Sequence, residues 1–153
     1  MVLRRATARK RWGVTLVESA FVMSLALLFF FGILEHARYV MTLQLLNNAA
    51  REGARYAVVH THDGTTAQVQ DVTDAALGGQ GQQMQSYSKT TNITVFKADP
   101  VTGTSTGVWT DAKFGESIEV KISGTYTPIL PVFLQMSSTM QVQGICIMRS
   151  EAN

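Results

Sequence analysis

The residue with the most chemical consequence in this sequence is Glu18. It is the only charged side chain in the stretch GVTLVESAFVMSLALLFFFGIL, which runs from Gly13 to Leu34. A hydrocarbon core about 30 Å thick is crossed by roughly 20 predominantly apolar residues in a helix, so residues 14–34 are long enough to span it. A carboxylate there is costly, which makes an intramembrane Glu a functional candidate by default. Its neighbours sharpen the point. Glu18 lies four residues past Val14, Val14 follows Gly13, and Arg4, Arg5, Arg9, Lys10 and Arg11 precede Gly13. Without that leader, the simplest reading of Glu18 would be a boundary carboxylate that snorkels to the interface.

The other chemistry-bearing residues are sparser. His60, His62 and Asp63 have the residue types of a metal site, but no further cluster joins them, and they read as a solvated turn at a helix end. Cys146 is the single cysteine, which excludes an intramolecular disulfide. It lies in a strand-like run, QVQGICIMRS, where it reads as a small buried hydrophobe. Asn92-Ile93-Thr94 matches a glycosylation acceptor, a pattern short enough to arise by chance. No nucleophile stands beside a base, and no glycine-rich phosphate loop is present. The sequence therefore points to a protein that is not an enzyme, without cofactor, metal or evident small-molecule substrate.

Charge is segregated along the chain. Five of the thirteen Lys and Arg residues precede the apolar stretch with no acid among them, and the remainder carries eight bases against eleven acids. The body has no basic patch interleaved with aromatics, which argues against nucleic acid as a partner. A Lys/Arg excess beside a span stays cytoplasmic, so this rule places residues 1–12 inside and the C-terminal part outside. An ordinary cleaved signal is disfavoured, because the apolar run exceeds the roughly 7–15 residues of a signal h-region and no small-x-small site follows it.

These residues need elements to hold them. The helix is expected to continue past Leu34, since residues 35–60 contain no proline and only Gly53 as glycine. Val40, Leu43, Leu46, Ala50, Ala54 and Ala57 recur at helical spacing, with Arg38, Gln44, Arg51, Glu52 and Arg55 around them. One helix over residues 14–59 would be about 70 Å long. Ala49, Ala50, Gly53, Ala54 and Ala57 would let another element approach it closely, and Asn47-Asn48 would cap, pair or face water. After the turn THDGT, Thr65 and Gln68 form a capping box for a second short helix, with Val69, Val72, Ala76 and Leu77 inward and Gly78 as its stop. Residues 78–88, rich in Gly and Gln, read as a mobile loop.

The period then changes to two. Residues 93–97 form a short strand, and residues 98–115 a loop or long hairpin connection. Ile118, Val120 and Ile122 alternate with Glu119, Lys121 and Ser123, a strand with one wet face. Pro128 and Pro131 interrupt pairing. Met140, Val142, Cys146 and Met148 line one face of a last strand, with Ile145 and Ile147 on the other, so it should lie centrally or pack on the long helix.

Glycine followed by Val14-Thr15-Leu16-Val17-Glu18, after a basic leader, resembles the processing signature of type IV pilin-like precursors. RWGVTLVE (11–18), FGILEHAR (31–38) and NNAAREGARYAV (47–58) are more similar still to TadE-like pseudopilins of the tight-adherence (Flp) pilus system, and the end MRSE (148–151) looks like that family too. The resemblance implies that a membrane prepilin peptidase cuts between Gly13 and Val14, where a residue without a side chain lets extended backbone enter a narrow cleft. It also implies that Glu18 neutralises the N-terminal amine of a neighbouring subunit, since an unpaired buried carboxylate is expensive. Val14 replaces the Phe often found first in mature major pilins, and Ser19 stands where the Flp pilin has Tyr. Both departures, and the large C-terminal part, favour a minor pseudopilin over the fibre subunit.

The expected architecture is α+β: a long N-terminal transmembrane and amphipathic helix packed on a small antiparallel sheet, pilin-like, with a second short helix. Residues 1–13 are the leader, 14–34 the span, 35–60 the helix continuing out of the membrane, and 61–153 the exported domain. Expected partners are the membrane, a prepilin peptidase, other pseudopilins and pilus-assembly platform proteins, with the protein in the inner membrane or part of a pilus. The rival reading is an uncleaved, signal-anchored envelope protein whose exported domain binds a partner or ligand.

Overall fold

In the computed structural model, which describes residues 12–151 except 132, 133 and 135, a single helix dominates. This α1, Trp12–Val59, runs unbroken for 48 residues, about 72 Å at the usual rise. Gly53 does not interrupt it. A Cβ there would collide with Thr73 Oγ1 and lie 3.3 Å from Val120, so the glycine is a notch that admits the second helix and the sheet. Leu46, Ala49, Ala50, Ala54, Ala57 and Val58 are buried along the same side. Short side chains bring backbones close enough for continuous dispersion contact, which is the energetic role of that stripe.

The second helix, α2 (Thr66–Leu77), is built as its sequence requires. Thr65 caps it, the reciprocal Thr65–Gln68 box is formed, and Gly78 ends it in the left-handed region at φ 57°. Its inner face holds Val69 and Leu77, but also Gln70 and Thr73, while Val72 and Ala76 are only half-buried. Gln70 Nε2 donates to the Ile93 carbonyl at 2.9 Å and Thr73 Oγ1 to Val69 O at 2.6 Å, so neither polar group is buried unpaired.

The Gly/Gln-rich stretch is folded, against the expectation of a mobile loop. A 3₁₀ turn (Gln80–Gln83) leads into β1 (Met84–Gln85), and Met84 is buried opposite Tyr126. Hydropathy gave no warning, because one Met and a tyrosine over Gly81 do the anchoring. A one-turn helix, α3 (Lys89–Asn92), then precedes β2 (Ile93–Ala98), β3 (Ser105–Gly107), β4 (Ser117–Tyr126) and β5 (Met140–Arg149).

All strand pairings are antiparallel. The centre is β4. Its whole length pairs with β5, its first half with β2 and its last two residues with β1, while β3 extends β2. The last strand is therefore lateral, and of the two places expected for it the long helix is the one it takes. A Cβ on Gly144 would run into the Leu46 backbone, so β5 and α1 touch main chain to main chain. Ile118, Val120 and Ile122 face the helices, fully buried.

The opposite face of β4 is not uniformly wet. Glu119 is 3% exposed, set in register between Phe96 and Ile147 with Gly103 over its carboxylate. Trp109, inside the segment expected to be loop, is buried beneath Gly64 and donates from Nε1 to Thr66 Oγ1 at 3.0 Å. The end of the chain is tied back as well: Ser150 N donates to Glu116 O at 2.8 Å and Glu151 N to Val58 O at 3.0 Å.

Candidate functional site

Two places on α1 concentrate the chemistry. The first is its N-terminal end. Gly13, Val14 and Glu18 all lie on the helix, and residues 13–27 are exposed without interruption. A Cβ at Gly13 would meet nothing within 4 Å. A helical glycine costs about 1 kcal/mol relative to alanine, so packing offers no reason for it. Among the described residues the Glu18 side chain has no hydrogen bond or ion pair, and its Cα stands about 6 Å along the axis from that of Val14. The hydroxyls nearby are treated differently: Ser19 donates to Thr15 O at 2.7 Å and Ser24 to Ala20 O at 2.9 Å. Glu18 is thus the polar group of this stretch that the helix itself does not satisfy. The basic leader residues Arg4, Arg5, Arg9, Lys10 and Arg11 lie outside the described residues.

The second place is where α1 meets the domain. Glu35 is only 5% exposed, the first charge after the apolar run. Tyr126 Oη donates to its Oε1 at 2.5 Å, and the Ile129 amide donates to Oε2 at 3.2 Å. Arg38 Nη1 lies 3.4 Å from the same carboxylate, and its guanidinium sits 5.6 Å from the Tyr126 ring centroid. Tyr39 packs edge-on against that ring at 5.6 Å. Burial, and then the hydrogen bond to Glu35, push the Tyr126 phenol up to about 12. One turn further, Thr42 Oγ1 donates to Gln83 Oε1 at 2.8 Å. This collar fastens the end of β4 and the turn after it to the helix. The sequence reading did not single out Glu35 or Tyr126; the available signal was the position of Glu35 directly after Leu34.

The remaining candidates fall into structural roles. His60 stacks on Tyr56 at 4.1 Å, its Nδ1 3.0 Å from Tyr56 O, and no metal-binding group of three ligands occurs among the described residues. Asn92 is half-buried, with Nδ2 donating to Ser123 O at 2.7 Å and Oδ1 accepting from Ser88 N at 2.8 Å. Cys146 packs half-buried against the core, and burial pushes its thiol up, away from reactivity. Asn47 and Asn48 are both exposed.

Residues 13–55 match the family model described as TadE-like protein. This stretch of α1 is similar to TadE-like proteins. The match starts at Gly13, takes in both Glu18 and the Glu35 collar residues of α1, and ends inside α1 at Arg55, so the sheet lies outside it. No curated protein and no solved structure matches the chain. Residues 13–55 are thus similar to TadE-like proteins, and α1, which carries them, is among the described residues the one helix long and apolar enough to cross a membrane.

Proposed function

We propose that this chain is a non-enzymatic minor pseudopilin that assists assembly of a tight-adherence pilus or a related secretion apparatus. In this reading a prepilin peptidase cuts after Gly13 on the cytoplasmic side, and the domain is exported across the inner membrane. The new α-amine at Val14 then pairs with Glu18 of a neighbouring subunit, or Glu18 with a neighbour's amine. Other pseudopilins and the assembly platform are the partners, met through the exposed span. The observation that carries the reading is the pair of features for which packing gives no reason: a helical glycine in open space and an unpartnered carboxylate on an exposed apolar helix. A charge in hydrocarbon needs a counter-charge, and an amine created at the same end would supply one.

The test is intact mass and N-terminal sequence of the protein from native membranes, with Gly13 and Glu18 variants alongside. A mature chain beginning at Val14, and lost in the Gly13 variant, supports the reading. A chain that keeps residues 1–13 in cells with an active prepilin peptidase defeats it. The rival, an uncleaved anchor whose domain binds a partner, draws on a different observation: α1 already begins at Trp12 and passes through Gly13 without a break. Cleavage would require that first turn to unwind.

A further inference from the structure

We propose that Ile129, Leu130 and Leu134, which follow β4, form a second membrane-contacting element, seated in the lipid interface at the Leu34 end of the span. The proposal rests on residues 14–34 crossing the bilayer. Leu134 Cδ2 is 3.7 Å from where a Gly32 side chain would begin, so Leu134 is level with a residue two positions inside the apolar run. At 1.5 Å per residue that is about 3 Å below the point where the helix leaves the hydrocarbon. Whatever solvent surrounds Gly32 therefore surrounds Leu134.

Composition fits that depth. No charged residue falls between Lys121 and Arg149, and Ile129 is 65% exposed at the rim of the collar. Backbone chemistry fits as well. Irregular main chain near hydrocarbon is tolerated only when its polar groups are satisfied within the protein. Of the described residues here, Pro128 and Pro131 have no N–H, and three amides are paired: Ile129 N donates to Glu35, Leu134 N to Leu130 O at 3.1 Å, and Met136 N to Pro131 O at 2.8 Å. Between Leu134 and the helix face of Leu28, Phe29, Gly32 and Ile33, continuing to His36 and Ala37, there is a largely apolar groove of about 720 Å³. Its position makes an acyl chain of the surrounding lipid the occupant. Segments of this kind bury apolar side chains about 5–10 Å into the headgroup–acyl boundary.

The test uses the full chain in vesicles of phosphatidylethanolamine and phosphatidylglycerol. On a Cys146→Ala background, Ile129→Cys, Val101→Cys and Leu25→Cys are each labelled with an environment-sensitive fluorophore. Val101, 90% exposed on the domain, reports water, and Leu25 reports mid-span. The expected result is iodide quenching several-fold weaker at position 129 than at 101, with stronger quenching at 129 by lipids bearing a nitroxide near the headgroup than near the chain end. Iodide quenching at 129 equal to that at 101, with Leu25 shielded, overturns the proposal and leaves the span intact. Iodide access to Leu25 overturns the span and the proposal together. A photoreactive lipid on the wild-type chain gives an independent readout: adducts at Ile129 or Leu134 are expected, and adducts confined to α1 count against the proposal.

Discussion

Tyr126 and Glu35 stand 91 positions apart in the chain and share a 2.5 Å hydrogen bond. That bond joins the last residue of β4 to the turn of α1 that follows the apolar run, and the buried carboxylate also holds the Ile129 amide. The sheet is thereby fastened to the helix at the end of its apolar run.

Tyr126→Phe removes the donor and leaves Glu35 short of a partner in a buried position. We expect a loss of about 1.5–3 kcal/mol, the range for a hydrogen bond to a charged group, read as a lower melting temperature in detergent micelles. The contribution is also pH-dependent. The folded phenol is raised to about 12 from an ordinary value of 10.0, so its stabilisation is complete below pH 10 and is lost as pH rises toward 12. The Phe variant will lack that alkaline component.

Glu119 is the buried carboxylate of β4. Burial raises its carboxyl above the ordinary range, and nearby Lys121 only partly offsets this. A raised folded value means that the native state favours the protonated form. Glu119 therefore weakens stability as pH rises through its folded value, and the penalty disappears in acid. Glu119→Gln should raise the melting temperature at neutral pH and make no difference below the ordinary carboxylate range of about 4.

Two glycines provide a contrast. Gly144→Val drives a side chain into the Leu46 backbone and should cost about 3 kcal/mol or prevent folding, because main chain cannot swing aside. Gly13→Leu has open space and should leave thermal stability unchanged. Under the proposed function it abolishes the processed form, so melting curves and N-terminal sequencing will separate a packing glycine from a processing one.

Trp109→Ala should cost about 3–5 kcal/mol, the usual range for emptying a buried aromatic site. Trp109→Phe keeps most of the contact with Gly64 and loses the bond to Thr66 Oγ1, so a smaller loss is expected, with increased amide exchange in the first turn of α2. Hydrogen exchange resolves the two effects.

The helical and strand periods carried most of this fold. The alanine and glycine spacing foretold a close-packed helix because short side chains at three- and four-residue intervals have that consequence in any context. The capping box and Gly78 marked α2 to the residue. What stayed hidden depends on partners distant in sequence. Met84 and Trp109 lie in segments 78–88 and 98–115, which read as loops because the residues they bury against are distant in sequence. Glu119 read as solvent-facing because alternation cannot tell which face a loop, a Phe and an Ile will cover. Of the candidate site, Gly13 and Glu18 were legible from spacing, whereas the collar needs Tyr126 and Ile129 brought to Glu35 by the sheet.

Since α1 runs unbroken from the apolar run into the core, under the proposed function the protein is a lever with its fulcrum in the lipid. About 25 residues, or about 38 Å of helix, project beyond Leu34, and an ordinary tilt of about 20° swings the far end by about 13 Å. A pull or twist applied at the Val14 end reaches Ala57 through hydrogen-bonded backbone, with no slack segment to absorb it. In that reading, lifting the span out of the bilayer would draw the sheet along through its contacts with α1.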